Sequence, residues 1–182
     1  MEFIKTEIDG VYILEPRVFE DTRGYFFEIY NQSEFGAHGL DYQFVQDNQS
    51  KSSYGTVRGL HFQKGEFAQA KLVRVIEGTV LDIGVDLRSE SKTFGKYIAV
   101  ELSGENKRQL LLPRGFAHGF SVLSETAVFS YKCDNFYNPA SEGGIRFDDP
   151  DLNIDWKVNL KNAVLSDKDL NLPSFREYES CF

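Results

Sequence analysis

The run Lys71–Leu87, KLVRVIEGTVLDIGVDL, constrains the fold more than any other stretch of this chain. Val, Ile and Leu crowd both halves, and Glu77-Gly78 lies between them as a two-residue turn, so the run reads as a hairpin of two strands. In that pairing Ile76 faces Thr79, Val75 faces Val80 and Val73 faces Asp82. Side chains alternate along a strand, which puts Lys71, Val73, Val75, Val80, Asp82 and Gly84 on one face. Lys71 and Asp82 are then diagonal neighbours whose long side chains can meet. The opposite face holds Leu72, Ile76, Leu81, Ile83, Val85 and Leu87, so the pair is apolar on both sides. Either it is sandwiched between layers, or one side is turned to a second subunit.

Short β-type runs of this kind recur along the chain: GVYILEP, GYFFEIY, DYQFVQDNQS, TVRGLHFQ, KYIAVELS, RQLLLP, HGFSVL and TAVFSYKC. Turn-forming segments such as DTRG, SSYG, KGEF, SGEN and PRGF separate them, the spacing of an all-β sandwich or barrel. NQSEFGAHG predicts a short helix capped by Ser33. In the tail after Pro150, where alternation is lost, LSDKDLN predicts another capped by Ser166. No repeat or linker divides the 182 residues, so residues 1–182 read as one domain. A net charge of -8 argues against a nucleic-acid footprint, though a local pocket can still be basic. No stretch approaches the roughly 20 apolar residues of a membrane helix. Cys133 and Cys181 lack metal spacing and read as reduced thiols, which places the chain in the cytoplasm.

Few residues are left to carry chemistry. Of the three histidines, His38 sits in a polar Gly-rich loop and reads as solvated. His61 lies in a strand, and His118 follows a Pro-x-Gly turn. PRGFAH looks like the second half of a cupin signature, but the first half would supply two histidines and a glutamate where GLHFQ supplies one histidine. A metal site is therefore not expected. There is no Gly-x-Ser-x-Gly, no Walker or dinucleotide loop, and no cysteine beside a histidine in sequence. What remains is acid–base equipment: His61, Lys71, Asp82, His118, Tyr131 and C-terminal carboxylates. Each has a structural reading as well: a satisfied core histidine, a core tyrosine, a buried ion pair.

Taken in order, FEDTRGYFFEIY, FVQDNQSKSSYGTVRGLHFQ, QAKLVRVIEGTVLDIGVDLR, LLPRGFAHGF, YKCDNFYNPASEGGIRFDDP and LSDKD resemble the dTDP-4-dehydrorhamnose 3,5-epimerase family over nearly the whole chain. The resemblance implies a cupin-like jelly roll with short C-terminal helical segments, using no metal and no cofactor. It implies a homodimer in which N-terminal strands cross to the partner, and no nucleic-acid or membrane partner. The implied substrate is a dTDP-4-keto-6-deoxyhexose, inverted at carbons 3 and 5. His61 matches the base, with Asp169 as its acidic partner and Asp167 as the alternative. Tyr131 matches the acid. Lys71, His118 and Asp82 match polar groups around the sugar. Arg23, Glu28, Gln46, Asn48, Arg58, Glu142 and Lys168 match substrate-binding positions, and Tyr137 and Phe19 match aromatic contacts to the nucleotide. Single epimerisation, ketoisomerisation and a non-catalytic sugar-nucleotide-binding jelly roll stay open beside the double epimerase. One conflict stands: Arg58 and His61 are three residues apart, so both reach one pocket only if the strand bulges at Gly59.

Overall fold

A computed structural model describes residues 1–182. Strands β1 (Glu2–Lys5), β2 (Tyr12–Glu15), β3 (Phe19–Asp21) and β4 (Gly24–Phe26) precede helix α1 (Gln32–Ala37). There follow β5 (Gln46–Ser53), β6 (Val57–Gln63), β7 (Lys71–Glu77), β8 (Thr79–Asp86), β9 (Tyr97–Ser103) and β10 (Gln109–Leu112). After these come β11 (Phe116–Val122), β12 (Thr126–Cys133), β13 (Glu142–Gly144) and the one-turn helix α2 (Asp167–Leu170). A six-stranded sheet ordered β1-β2-β10-β7-β12-β5 faces a five-stranded sheet ordered β13-β6-β11-β8-β9, and β3-β4 form a separate hairpin. The result is the all-β sandwich expected from the spacing of the runs, in the jelly-roll form that the resemblance implied. No helix is long and apolar enough to cross a membrane.

The Lys71–Leu87 run does not form a hairpin. β7 belongs to the six-stranded sheet and β8 to the five-stranded one, so Glu77-Gly78 is a corner where the chain changes sheets. Gly78 has φ +80°, and a Cβ there would lie 2.0 Å from the Thr126 carbonyl oxygen, so only glycine fits the corner. The face assignment nevertheless holds, because alternation does not depend on which strand is the partner. Val73, Val75 and Val80 meet Leu110, Phe120 and Phe129 in the core between the sheets. Both outer faces are covered by this chain's own segments except at Ile76, which is exposed beside the corner. Leu81, Ile83 and Val85 pack under the C-terminal tail with Ile145, Phe147 and Trp156, and Leu72 packs against Leu14, Leu111 and Phe35 of α1. Layering accounts for the two-sided pattern.

Local details differ from the expected elements. Asn31, in extended backbone at φ -142°, caps α1 by accepting from the Ser33 and Glu34 amides; Ser33 lies inside the helix. Ser166 caps α2 as expected, its hydroxyl accepting from the Asp169 amide. GYFFEIY contributes only Gly24–Phe26 as strand, and DYQFVQDNQS becomes strand at Gln46.

Candidate active site

The inner faces of five strands and the turn of α2 enclose a cavity of about 410 Å³. β6 and β11 form one wall. There His61 and His118 are directly paired across the ladder, as are Arg58 and Phe120. Three residues of β6 therefore span what two residues of β11 span, so β6 bulges between Arg58 and His61, as placing both in one pocket required. Two glycines permit it: a Cβ on Gly59 (φ +120°) would lie 2.6 Å from the Gly119 Cα, and one on Gly119 would lie 2.6 Å from the Arg58 carbonyl oxygen. Leu60 and Phe62 consequently point out to the tail, while Arg58 and His61 point in.

The facing wall comes from the other sheet. Tyr131 on β12, Lys71 on β7 and Asn48 and Ser50 on β5 line it, over a floor that includes Phe129 and Phe120, whose rings stack at 4.3 Å. Tyr131 pairs with Asn48 and Phe129 with Ser50 across the β12–β5 ladder, which gives this wall a polar edge strand. Ser50, Phe120 and Phe129 were not among the expected site residues. Alternation from Asn48, Tyr131 and His118 was the signal that could have found them.

His61 is held by Asp169: Nε2–H donates to Oδ1 at 2.5 Å, which leaves Nδ1 free. Asp169 is 3% exposed, whereas Asp167 is exposed, which resolves the choice between the two carboxylates. Burial pushes the Asp169 carboxyl up. The His61 hydrogen bond and charge, the Ser166 hydroxyl and Lys168 outweigh that and hold it below the ordinary carboxylate value.

Beside it lies a second pair, where His118 Nε2–H donates to Asp82 Oδ1 at 2.9 Å. This corrects the expected Lys71–Asp82 ion pair: no such bridge forms, because β7 and β8 lie in different sheets rather than side by side. Asp82 is fully buried, and its Oδ2 has no hydrogen-bond partner. Burial pushes the Asp82 carboxyl up against the pull of His118 and Lys71, and burial pushes His118 and Lys71 down. The Lys71 ammonium instead lies 5.9 Å from the centre of the Tyr131 ring. Burial also raises the Tyr131 phenol, with Cys133 adding to the rise and Arg58 opposing it, so the hydroxyl keeps its proton at neutral pH.

At the rim, Lys168 forms an ion pair with Glu142, and Tyr137 donates through its hydroxyl to Glu142 Oε2 at 3.3 Å. The Tyr137 amide donates to Gln46 Oε1 at 3.0 Å, and Arg58 Nε–H donates to the Ser52 hydroxyl at 3.1 Å. The structure therefore brings together Gln46, Asn48, Arg58, His61, Lys71, His118, Tyr131, Tyr137, Glu142, Lys168 and Asp169, with Asp82 directly behind His118. Phe19, Arg23 and Glu28 are not brought to this cavity. Phe19 and Arg23 lie on the exposed β3-β4 hairpin, where Arg23 pairs with Asp21. No group of three or more His, Cys, Asp or Glu side chains is placed to hold a metal ion.

A partly open histidine on one sheet, bonded to the buried carboxylate of α2 and opposed by a protonated tyrosine on the other sheet, is equipment for moving protons on two sides of one bound molecule. Comparison with known proteins agrees with that chemistry. The family model for dTDP-4-dehydrorhamnose 3,5-epimerase matches residues 5–177. The chain is 54% identical to the dTDP-4-dehydrorhamnose 3,5-epimerase of Shigella flexneri, covering 96% of each. A crystal structure of that enzyme from Elizabethkingia anophelis superposes with a TM-score of 0.94 at 61% identity, covering 97% of both chains. A dTDP-6-deoxy-D-glucose-3,5-epimerase from Legionella pneumophila, solved with dTDP-4-keto-L-rhamnose, gives 0.93 at 45% identity over 98% of this chain and 94% of that one. This protein belongs to the dTDP-4-dehydrorhamnose 3,5-epimerase family.

Proposed function

We propose that this protein epimerises carbons 3 and 5 of dTDP-4-dehydro-6-deoxy-D-glucose to give dTDP-4-dehydro-L-rhamnose, with His61 as base and Tyr131 as acid. The observation that carries the reading is the placement of these two side chains on opposite sheets of one cavity. Both carbons flank the ketone, so loss of either proton leaves an enolate. Nδ1 of His61 takes the proton, and the C–H electron pair moves into the ring towards the carbonyl oxygen. Asp169 holds the tautomer and stabilises the imidazolium that forms, the role a carboxylate plays in catalytic triads. Tyr131 then delivers its phenolic proton to the same carbon from the opposite side, and the electrons return from oxygen to re-form the ketone. Inversion follows from the geometry of the two walls. Proton exchange with solvent resets both residues for the second carbon.

Lys71 supplies positive charge to the enolate oxygen from a wall where valines limit water. His118, held by Asp82, completes the polar surround of the sugar. Arg58 and Lys168 suit the diphosphate through charge-assisted hydrogen bonds, with Lys168 released from Glu142 on binding. Tyr137 offers an aromatic face to thymine, and Gln46 and Asn48 add polar contacts.

Phe19, Arg23 and Glu28 belong to the same function through a second copy of the chain. The β3-β4 hairpin leaves Phe19, Tyr25 and Phe26 each more than half exposed, a cost that a partner subunit removes. We therefore read the working unit as a homodimer, with the hairpin of one protomer completing the cavity of the other. Free Cys133 and Cys181 support a cytoplasmic setting.

The test is proton NMR of dTDP-4-keto-6-deoxyglucose incubated with the protein in deuterated water. Deuterium at carbons 3 and 5 with conversion to the L-rhamno configuration is expected, and His61→Ala is expected to abolish both exchanges. Exchange at one carbon alone would make it a single epimerase. Binding without exchange would make it a binding module.

A further inference from the structure

We propose that Ser166 is a positioning residue that acts on His61 through Asp169. Asp169 sits in a helix of one turn, which by itself holds a side chain weakly. Ser166 fixes it at two points. Its hydroxyl accepts from the Asp169 amide at 3.2 Å, and the same hydroxyl donates to Asp169 Oδ2 at 2.9 Å. Oδ1 is thereby left facing His61 Nε2 at 2.5 Å. One hydroxyl thus sets both the backbone and the carboxylate of the dyad's acid.

The i, i+3 spacing is what makes this possible. A serine at the cap lies over the residue three positions on, so a single rotamer can reach both the amide and the carboxylate. Ser166 also lines the cavity, so its hydroxyl is at the site and is not a remote cap. Without its donor, Oδ2 loses a hydrogen bond while the carboxylate stays buried, and the acid can rotate away from His61. Loss of orientation in a base of this kind reduces turnover more than binding, because the dyad works hardest when the imidazolium forms.

The inference rests on the assignment of His61 as base, and the experiment separates the two. Exchange and turnover are measured for wild type, His61→Ala, Ser166→Gly, Ser166→Thr, Asp169→Ala and the Ser166→Gly/Asp169→Ala double variant. Glycine is a tolerated cap, so Ser166→Gly removes the hydroxyl with little loss of stability, which thermal melting checks. The expected result is a kcat about tenfold lower in Ser166→Gly with KM within about twofold, and recovery of most of the loss in Ser166→Thr. In the Asp169→Ala background the same change is expected to cost less than about twofold, because the residue through which Ser166 acts is gone. Wild-type kcat in Ser166→Gly, or the same loss in both backgrounds, would overturn the inference while leaving the base assignment intact. Full exchange in His61→Ala would overturn both.

Discussion

His61 and His118 stand directly opposite each other on β6 and β11, each bonded through Nε2 to its own aspartate. The two pairs are not equivalent. Asp169 has both carboxylate oxygens occupied, by His61 and Ser166, whereas the Oδ2 of Asp82 is buried without a partner. The side chain of His118 is 8% exposed, and burial works against its charged form, while the side chain of His61 is 29% exposed. A base must accept a proton and become charged, and the open, fully bonded pair suits that better. The closed pair is suited to hold a neutral imidazole in place, with Nε2–H given to Asp82 and Nδ1 left as an acceptor.

Lys71 gives a sharp contrast between stability and activity. Burial disfavours its ammonium, and no carboxylate bridges it. Replacing Lys71 with Met should leave the melting temperature equal or higher, since a half-buried charge with no bridging carboxylate is exchanged for apolar volume. The same change should lower kcat by about 10²–10³, the usual cost of losing charge stabilisation at an oxyanion. A fall in melting temperature with unchanged turnover would make Lys71 a structural residue.

The bulge in β6 can be tested at Gly59. Alanine there would combine a positive φ with a Cβ 2.6 Å from the Gly119 Cα, contacts that only movement of one strand relieves. Gly59→Ala should cost about 3 kcal/mol in urea denaturation. Any folded fraction should turn over poorly, because restoring a regular ladder would send Arg58 and His61 to opposite faces.

Much of this arrangement was legible in the chain itself. Alternation alone put Val73, Val75, Val80 and Asp82 on one inner face, and the Ser166–Asp169 spacing signalled the capped turn that carries the acid. The partner of each strand was not legible. Lys71–Glu77 and Thr79–Asp86 have the same pattern whether they form a ladder or pass between sheets, so the corner at Gly78 read as a hairpin and Asp82 was paired with Lys71 instead of His118. The bulge at Gly59 followed from the resemblance, which matched both Arg58 and His61 to one pocket, since no local pattern demands it. Strands as short as β3 and β13 carry too few residues to show a period. Phe19, Arg23 and Glu28 were matched by resemblance, and one copy of the chain offers them no cavity to share.

Asp86 makes the acid stability of the fold testable apart from the active site. It is fully buried at the end of β8. Burial opposes its charge, but Arg88, Ser91 and Thr93 donate to it and bring its carboxyl down to about 2. Because the folded value lies below the unfolded one, the stabilisation is whole above about pH 4 and fades as pH falls towards 2. The shift corresponds to about 2 kcal/mol. Asp86→Ala should therefore be less stable than wild type by at least that amount at pH 7, with the gap narrowing below pH 4. A gap independent of pH would mean that packing, not the carboxylate charge, carries the effect.

The homodimer reading makes a prediction that no single variant can make. If Arg23 serves the cavity of the partner while His61 serves its own, then Arg23→Ala and His61→Ala damage different protomers' contributions. Each homodimer should be impaired at both sites. Arg23→Ala should act mainly on KM, because it removes a contact to bound substrate, and His61→Ala should act on kcat by at least about 10². In a mixed dimer one cavity would hold both defects, while the other would pair an intact His61 with an intact Arg23. Co-expression with two different affinity tags, followed by sequential purification, isolates the mixed species. Its expected activity is about half that of wild type per dimer, with wild-type KM, from one restored site of two. A mixed dimer with the raised KM of the Arg23→Ala parent would mean that each cavity draws on its own chain alone, and a wild-type KM in the Arg23→Ala homodimer itself would remove Arg23 from the substrate-binding set.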